Sequence, residues 1–203
     1  MSLANDTNPG LKLVFAGSMG AGKTTAIRAI SEIEPISTEV ENSDRTEFDK
    51  DHTTVAMDYG ELTLRSGEKL GLYGTPGQVR FDFMWQIIAT GALGIVVLID
   101  NSRPDPLADL TRYLAAFRSH AQAGAVVVAI GRMETHPRPD LGDYSHRLEE
   151  MQLIIPMMPA DVRNRADVIE VLEVLFHQIE ATDDHGPDAD DWMSFIHTLS
   201  KQQ

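Results

Sequence analysis

Apolar positions along this chain change period several times, and each change predicts an element. Residues 11–16 read LKLVFA, a compact apolar run that predicts a strand and leads straight into a glycine-rich loop. Over residues 24–33 the spacing becomes helical, with Ile27, Ile30 and Ile33 on one side, until Pro35 stops it. Residues 37–52 are polar and acid-rich with no clean period, so they read as a loop. Residues 55–64 partly alternate and residues 70–73 follow, with RSGE turn chemistry close by, which predicts an antiparallel hairpin. A helix is predicted over 81–92. Residues 94–100, GIVVLID, form the continuous apolar run expected of a parallel strand buried on both faces. Further helices are predicted over 106–121 and 143–151, and strands over 125–130 and 153–156. Residues 167–179 put Val168, Val171, Leu172, Leu175 and Ile179 on one helical stripe.

Strands alternating with helices predict an α/β fold: a mostly parallel six-stranded sheet, helices on both faces, and one antiparallel edge hairpin. Ligands are then expected at the carboxyl ends of the strands. Residues 1–10 read as a flexible N-terminus and 11–180 as the folded domain. The acidic stretch around DDHGPDADD makes 181–189 a linker. Residues 190–203 then predict an amphipathic helix, with Trp192, Phe195, Ile196 and Leu199 on one face. That face either docks on the protein's own body or is offered to a partner or second subunit.

Composition narrows the function. A chain of 203 residues with 42% hydrophobic and 24% charged residues is long enough for one core of its own. Its formal net charge of −14 argues against broad binding to nucleic acid or anionic lipid. It has no cysteine, which excludes disulfides and thiolate metal sites. No apolar run approaches the roughly 18–20 residues of a membrane span. The opening MSLANDTNPG lacks the pattern of a secretory signal, so cytoplasm is the expected compartment.

The loop after the first strand carries the chemistry. Gly17, Ser18, Met19, Gly20, Ala21, Gly22, Lys23, Thr24 and Thr25 read GSMGAGKTT, which contains G-x-x-x-x-G-K-[ST] in full. Glycines in such a loop let successive backbone N–H groups point at phosphate oxygens, and the following helix adds its positive end. Lys23 is expected to reach the terminal phosphates and the Thr24 hydroxyl to ligate Mg²⁺. Further along, residues 72–78 read LYGTPGQ. There Gly77 can offer an N–H to a γ-phosphate and Gln78 can orient an attacking water.

Together with TTVAMDYG over 53–60 and GTPGQVRF over 74–81, the loop resembles the Ras-like small GTPases. It is closer to a bacterial branch that contains the gliding-motility GTPases and related ATP/GTP-binding proteins. The resemblance covers residues 11–180 and implies a Ras-like P-loop NTPase that binds GTP or GDP with Mg²⁺. It implies that Thr54, with Thr53 as its substitute, closes on the metal and γ-phosphate, and that Gln78, Lys23 and Thr54 serve hydrolysis. It also implies a roadblock-type or other regulatory protein as a partner; a homo-oligomer is left open.

Two departures stand out. Gly74 occupies the position where the family usually has the Asp that holds Mg²⁺ through water, and Asp58, on the facing strand, is the expected replacement. In place of the base-reading N-K-x-D stands Gly131-Arg132-Met133-Glu134. Glu134 is expected to accept from guanine N1–H and N2–H₂, and Arg132 to stack on the base. A weaker last base-contacting loop is expected over 158–161, where Asp161 otherwise caps a helix. No convincing arginine finger is visible: Arg45 and Arg80 are the candidates, and each reads better as a surface charge or structural pair. Besides a GTP-hydrolysing switch, two readings stay open: a nucleotide-binding interaction module with little hydrolysis, and a P-loop small-molecule kinase using Arg132, Arg138 and Arg147.

Overall fold

The computed structural model describes residues 11–41, 54–64 and 67–182. Thr53, Arg45, the N-terminus and the 190–203 helix lie outside these, as does most of the linker.

Strand β1 (Leu11–Gly17) leads through the glycine loop into α1 (Lys23–Ile30), followed by β2 (Ile36–Glu41), β3 (Thr54–Thr63) and β4 (Lys69–Gly74). A 3-10 turn at Val79–Phe81 opens α2 (Asp82–Ala89), and β5 (Gly94–Asp100), α3 (Pro106–Ala116), α4 (Arg118–Gln122) and β6 (Val126–Gly131) follow. The described chain closes with α5 (Leu141–Glu150), β7 (Met157–Pro159) and α6 (Arg165–Thr182). The strands form one sheet in the order β2-β3-β4-β1-β5-β6-β7. Strands β4, β1, β5, β6 and β7 run parallel, while β2–β3 and β3–β4 are antiparallel.

The α/β architecture expected from the pattern is present, with a seventh strand added. The start of the polar stretch 37–52 is not a loop: residues 36–41 pair with β3 from Ile36↔Tyr59 to Glu41↔Thr54. An outermost strand has one neighbour and an open edge, so it does not need the apolar run that marks an interior strand. The strand expected over 153–156 starts later, at Met157; Pro156 only supplies its carbonyl to Val128 N–H, at 3.0 Å. The helix expected over 106–121 is two, because Phe117 leaves helical geometry (φ −106°, ψ 26°) with its ring buried between them.

Alternation in the central strands divides the core. Leu13, Phe15, Val96, Leu98 and Val127 face α1 and α6, while Val14, Ile95, Val97, Val126 and Val128 face α2 to α5. Burying one such side chain stabilises the fold by about 1.5–3 kcal/mol. A charge at Val97, 0% exposed, has no partner on either side and would break the sheet. The chain leaves β1 towards β4 on one side and β5 on the other, so the carboxyl ends of β1, β5 and β6 open a crevice at the switch point.

Candidate functional site

That crevice holds two joined clefts. One, of about 400 Å³, is lined by the glycine loop together with Asp58, Thr75, Pro76, Gly77 and Gln78. The other, of about 430 Å³, lies between the loop and residues 131–135 and 159–163. Gly20, Gly22 and Thr25 line both, so a single elongated ligand can cross from one to the other.

The loop has the backbone its glycines allow. Gly22 caps α1 at φ 97° in the left-handed region with no side-chain cap, so the first turn of the helix presents bare N–H groups to the cleft. No acid sits in that turn. Lys23 is buried, and its Nζ donates to the carbonyls of Gly17 at 2.8 Å and Ser18 at 2.9 Å. Burial lowers its pKa to about 8, with Asp58 pulling the other way. An ammonium held by carbonyl dipoles is poised to exchange them for phosphate oxygens.

Asp58 lies beside Thr24, whose hydroxyl donates to its Oδ2 at 2.5 Å. Asp58 pairs in register with Gly74, and a Cβ at Gly74 would stand 3.1 Å from the Asp58 Cβ and 3.2 Å from its Oδ2. The two positions share one space, and the carboxylate comes from β3 rather than β4. A hydroxyl and a carboxylate beside the phosphate loop are the hard oxygen donors that Mg²⁺ takes when phosphates complete its shell, so the residues fit that ion. Among the described residues no group of three or more His, Cys, Asp or Glu side chains could hold a metal alone.

Gly77 packs on the loop: a Cβ there would meet Met19 N at 2.6 Å and Lys23 Nζ at 2.9 Å, so only glycine fits. Gln78 is exposed, and its Oε1 accepts from Arg80 Nε at 2.8 Å. Arg80 also lies over the Phe81 ring, 4.8 Å from its centroid. Thr54 starts β3, four residues from Asp58 and thus about 13 Å along the strand. The structure does not bring its backbone to Thr24.

In the second cleft Arg132, at φ 64°, does not lie free to stack on a base. Its guanidinium pairs with Asp100 and donates to the Gly20 carbonyl at 3.3 Å, tying the β6 loop to the glycine loop. Burial pushes the Asp100 carboxyl up, but Arg132 and two hydrogen bonds from Ser102 outweigh it and hold the pKa below its usual value. Glu134 is exposed on the cleft wall with Arg163 close enough to feel its charge. Asp161 is occupied by Arg163, whose hydrogen bonds hold its pKa down at about 2, and its backbone N–H donates to Asp167.

Two residues of the site, Asn101 and Trp85, lie outside every motif. Asn101 is buried; its Nδ2 donates to the carbonyls of His136 and Pro139 at 2.6 and 3.0 Å, and it accepts from Tyr144 at 2.6 Å. It braces the loop that carries Arg132 and Glu134. Trp85 Nε1 donates to the Pro76 carbonyl at 2.8 Å, holding the segment before Gly77. Thr75 is buried against the first cleft, and its hydroxyl has no partner among the described residues.

Comparison with known proteins agrees with this fold. A family model described as "conserved hypothetical ATP binding protein" matches residues 34–185, three quarters of the chain, starting downstream of the glycine loop. The chain is 23% identical to Ras-related protein RabC of Dictyostelium discoideum, over 84% of each chain. It is 32% identical to uncharacterized protein MJ1339 of Methanocaldococcus jannaschii over 46% of its own length, spanning about half (53%) of that relative. In structure it resembles the G domain of the T. maritima FeoB iron transporter, with TM-score 0.57 and 17% identity over 83% of this chain and 98% of that one. The chain therefore belongs to the family described as conserved hypothetical ATP binding proteins, built on a Ras-like P-loop NTPase fold.

Proposed function

We propose that this protein is a guanine-nucleotide-binding switch that hydrolyses GTP to GDP and phosphate with Mg²⁺. The observation that carries the reading is the joined pair of clefts: a phosphate cradle with Lys23, Thr24 and Asp58 at one end and a Glu134-walled pocket at the other. RabC, similar over most of the chain, is a Ras-related protein by name. In this reading Gly17 to Thr25 wrap the phosphates, Lys23 leaves its two carbonyls for the terminal oxygens, and Thr24 with Asp58 would hold Mg²⁺. That ion, when bound, neutralises charge on the terminal phosphates. Gly77 N–H and Gln78 serve the γ-phosphate and the attacking water, and Thr54 has to leave its pairing with Glu41 to close on them. Glu134 reads the guanine edge, while Arg132 holds the pocket to the phosphate loop.

Gln78 is turned to Arg80 at the exposed surface, and its side chain has to swing towards the γ-phosphate to place water, so turnover is slow without a partner. Gly74, in place of Asp, sets the chain beside the bacterial gliding-motility branch. A cytoplasmic regulatory role follows, with a unit over 11–180 and a helix over 190–203 joined by 181–189. No described helix is long and apolar enough to cross a membrane.

The Arg80–Gln78 bond favours one second reading, a nucleotide-binding module with little hydrolysis. Phosphate release from GTP with Mg²⁺ and no acceptor separates the two. Multiple turnovers that Gln78→Leu abolishes support the switch; tight binding without turnover, even with Arg80→Ala, supports the module.

A further inference from the structure

Helix α2 carries an apolar face that nothing in the described chain covers. Trp85, Ile88 and Ala89 turn inward, while Phe83 and Ile87, four residues apart on the opposite side, are 57% and 68% exposed. Two large apolar side chains at i and i+4 make a seat for a helix with its own apolar stripe.

The structure also shows what can reach that seat. Helix α6 ends at Thr182, whose hydroxyl donates to the Ala123 carbonyl at 3.3 Å. Ala123 directly follows α4, where the His120 ring is hydrogen-bonded to the Ala89 carbonyl at the end of α2, at 3.2 Å. The described chain therefore ends beside the foot of α2. Residues 183–191 follow, about 30 Å when extended, against the roughly 12 Å length of α2. Charge favours the same path. Lys12, with its Nζ on the Thr90 carbonyl at 3.4 Å, places an ammonium at that foot. The intervening segment carries Asp183, Asp184, Asp188, Asp190 and Asp191.

We propose that residues 191–200 of this same chain dock as a helix on α2, setting Trp192, Phe195, Ile196 and Leu199 against Phe83 and Ile87. The tail then covers the helix that begins four residues after Gln78, and any protein that binds this face has to displace it. The contact is independent of which nucleotide the protein binds.

The absence of cysteine makes the test direct. In the full chain, Gln86→Cys beside Ile87 and Thr198→Cys beside Leu199 are joined with a short bismaleimide at low protein concentration. Ile154→Cys with Thr198→Cys is the control, since Ile154 is 95% exposed elsewhere on the surface. The expected result is a link within one molecule, formed at least ten-fold faster than in the control. Adding Ile87→Asp, an exposed change that leaves the circular dichroism spectrum intact, should abolish that excess. Equal rates for the two pairs, a link that survives Ile87→Asp, or one formed only between molecules would overturn the proposal. The last result would assign the seat to a second copy.

Discussion

The Asp58–Gly74 arrangement makes a demanding prediction. Asp58 accepts the Thr24 hydroxyl at 2.5 Å, and a hydrogen bond to a charged group contributes about 1.5–3 kcal/mol. In the proposed reading that carboxylate would be one of the oxygen ligands of Mg²⁺. Asp58→Ala then removes one of the two side chains placed for it. The expected loss is about 2 kcal/mol in the Mg²⁺-dependent part of nucleotide affinity, roughly 30-fold. Affinity measured in excess chelator should change little. Geometry adds a sharper test. Because a Cβ at Gly74 would sit 3.1 Å from the Asp58 Cβ, Gly74→Asp alone crowds two carboxylates into one space. Asp58→Gly opens that space. The exchanged pair Asp58→Gly with Gly74→Asp should therefore recover most of the Mg²⁺ dependence that each single change loses. Fluorescent-nucleotide titrations at several Mg²⁺ concentrations read the effect. If Asp58→Ala leaves the ratio of Kd values with and without Mg²⁺ unchanged, the assignment of the carboxylate is refuted.

Lys23 predicts a pH dependence. Its pKa is about 8 in the folded free protein against 10.5 in the open chain, so between these values the unfolded state holds more protons and stability rises with pH. Phosphate binding needs the ammonium, so affinity for tripolyphosphate should fall above pH 8 by up to ten-fold per unit; calorimetry showing a flat profile would refute this. Glu134→Ala should narrow any preference for GTP over ATP by about 1–3 kcal/mol while sparing tripolyphosphate affinity, read from competition titrations. Asn101→Leu strands the His136 and Pro139 carbonyls and the Tyr144 hydroxyl. It should cost about 3 kcal/mol of stability and loosen base discrimination more than phosphate affinity, by thermal unfolding and the same titrations; an unchanged melting temperature would show that the brace is idle.

Much of this was legible because the relevant physics is local. A run such as GIVVLID has one stable use in a sheet with helices on both faces, and the glycine loop needs its strand before and helix after. Asp58 could be placed because hairpin register puts β3 opposite β4. Local pattern failed where neighbours decide. Strand β2 is polar because it lies at the edge, so periodicity did not find it. Arg132 looked free for a base until folding brought Asp100 and Gly20 to it from two other segments. Asn101 follows β5 without any motif, and its role depends on carbonyls 35 and 38 positions away. Its one legible signal is that a polar residue directly follows a fully buried strand, which asks what satisfies it.

The central claim is that main-chain amides at the head of α1 grip a purine triphosphate while Glu134 selects its base. Isothermal calorimetry of the full chain with GTP, GDP and ATP, each with and without Mg²⁺, tests it most directly. The account predicts binding of GTP and GDP that Mg²⁺ strengthens and weaker binding of ATP. Heat from none of the three on well-folded protein would contradict the cradle itself, and equal binding of ATP and GTP would contradict the role given to Glu134.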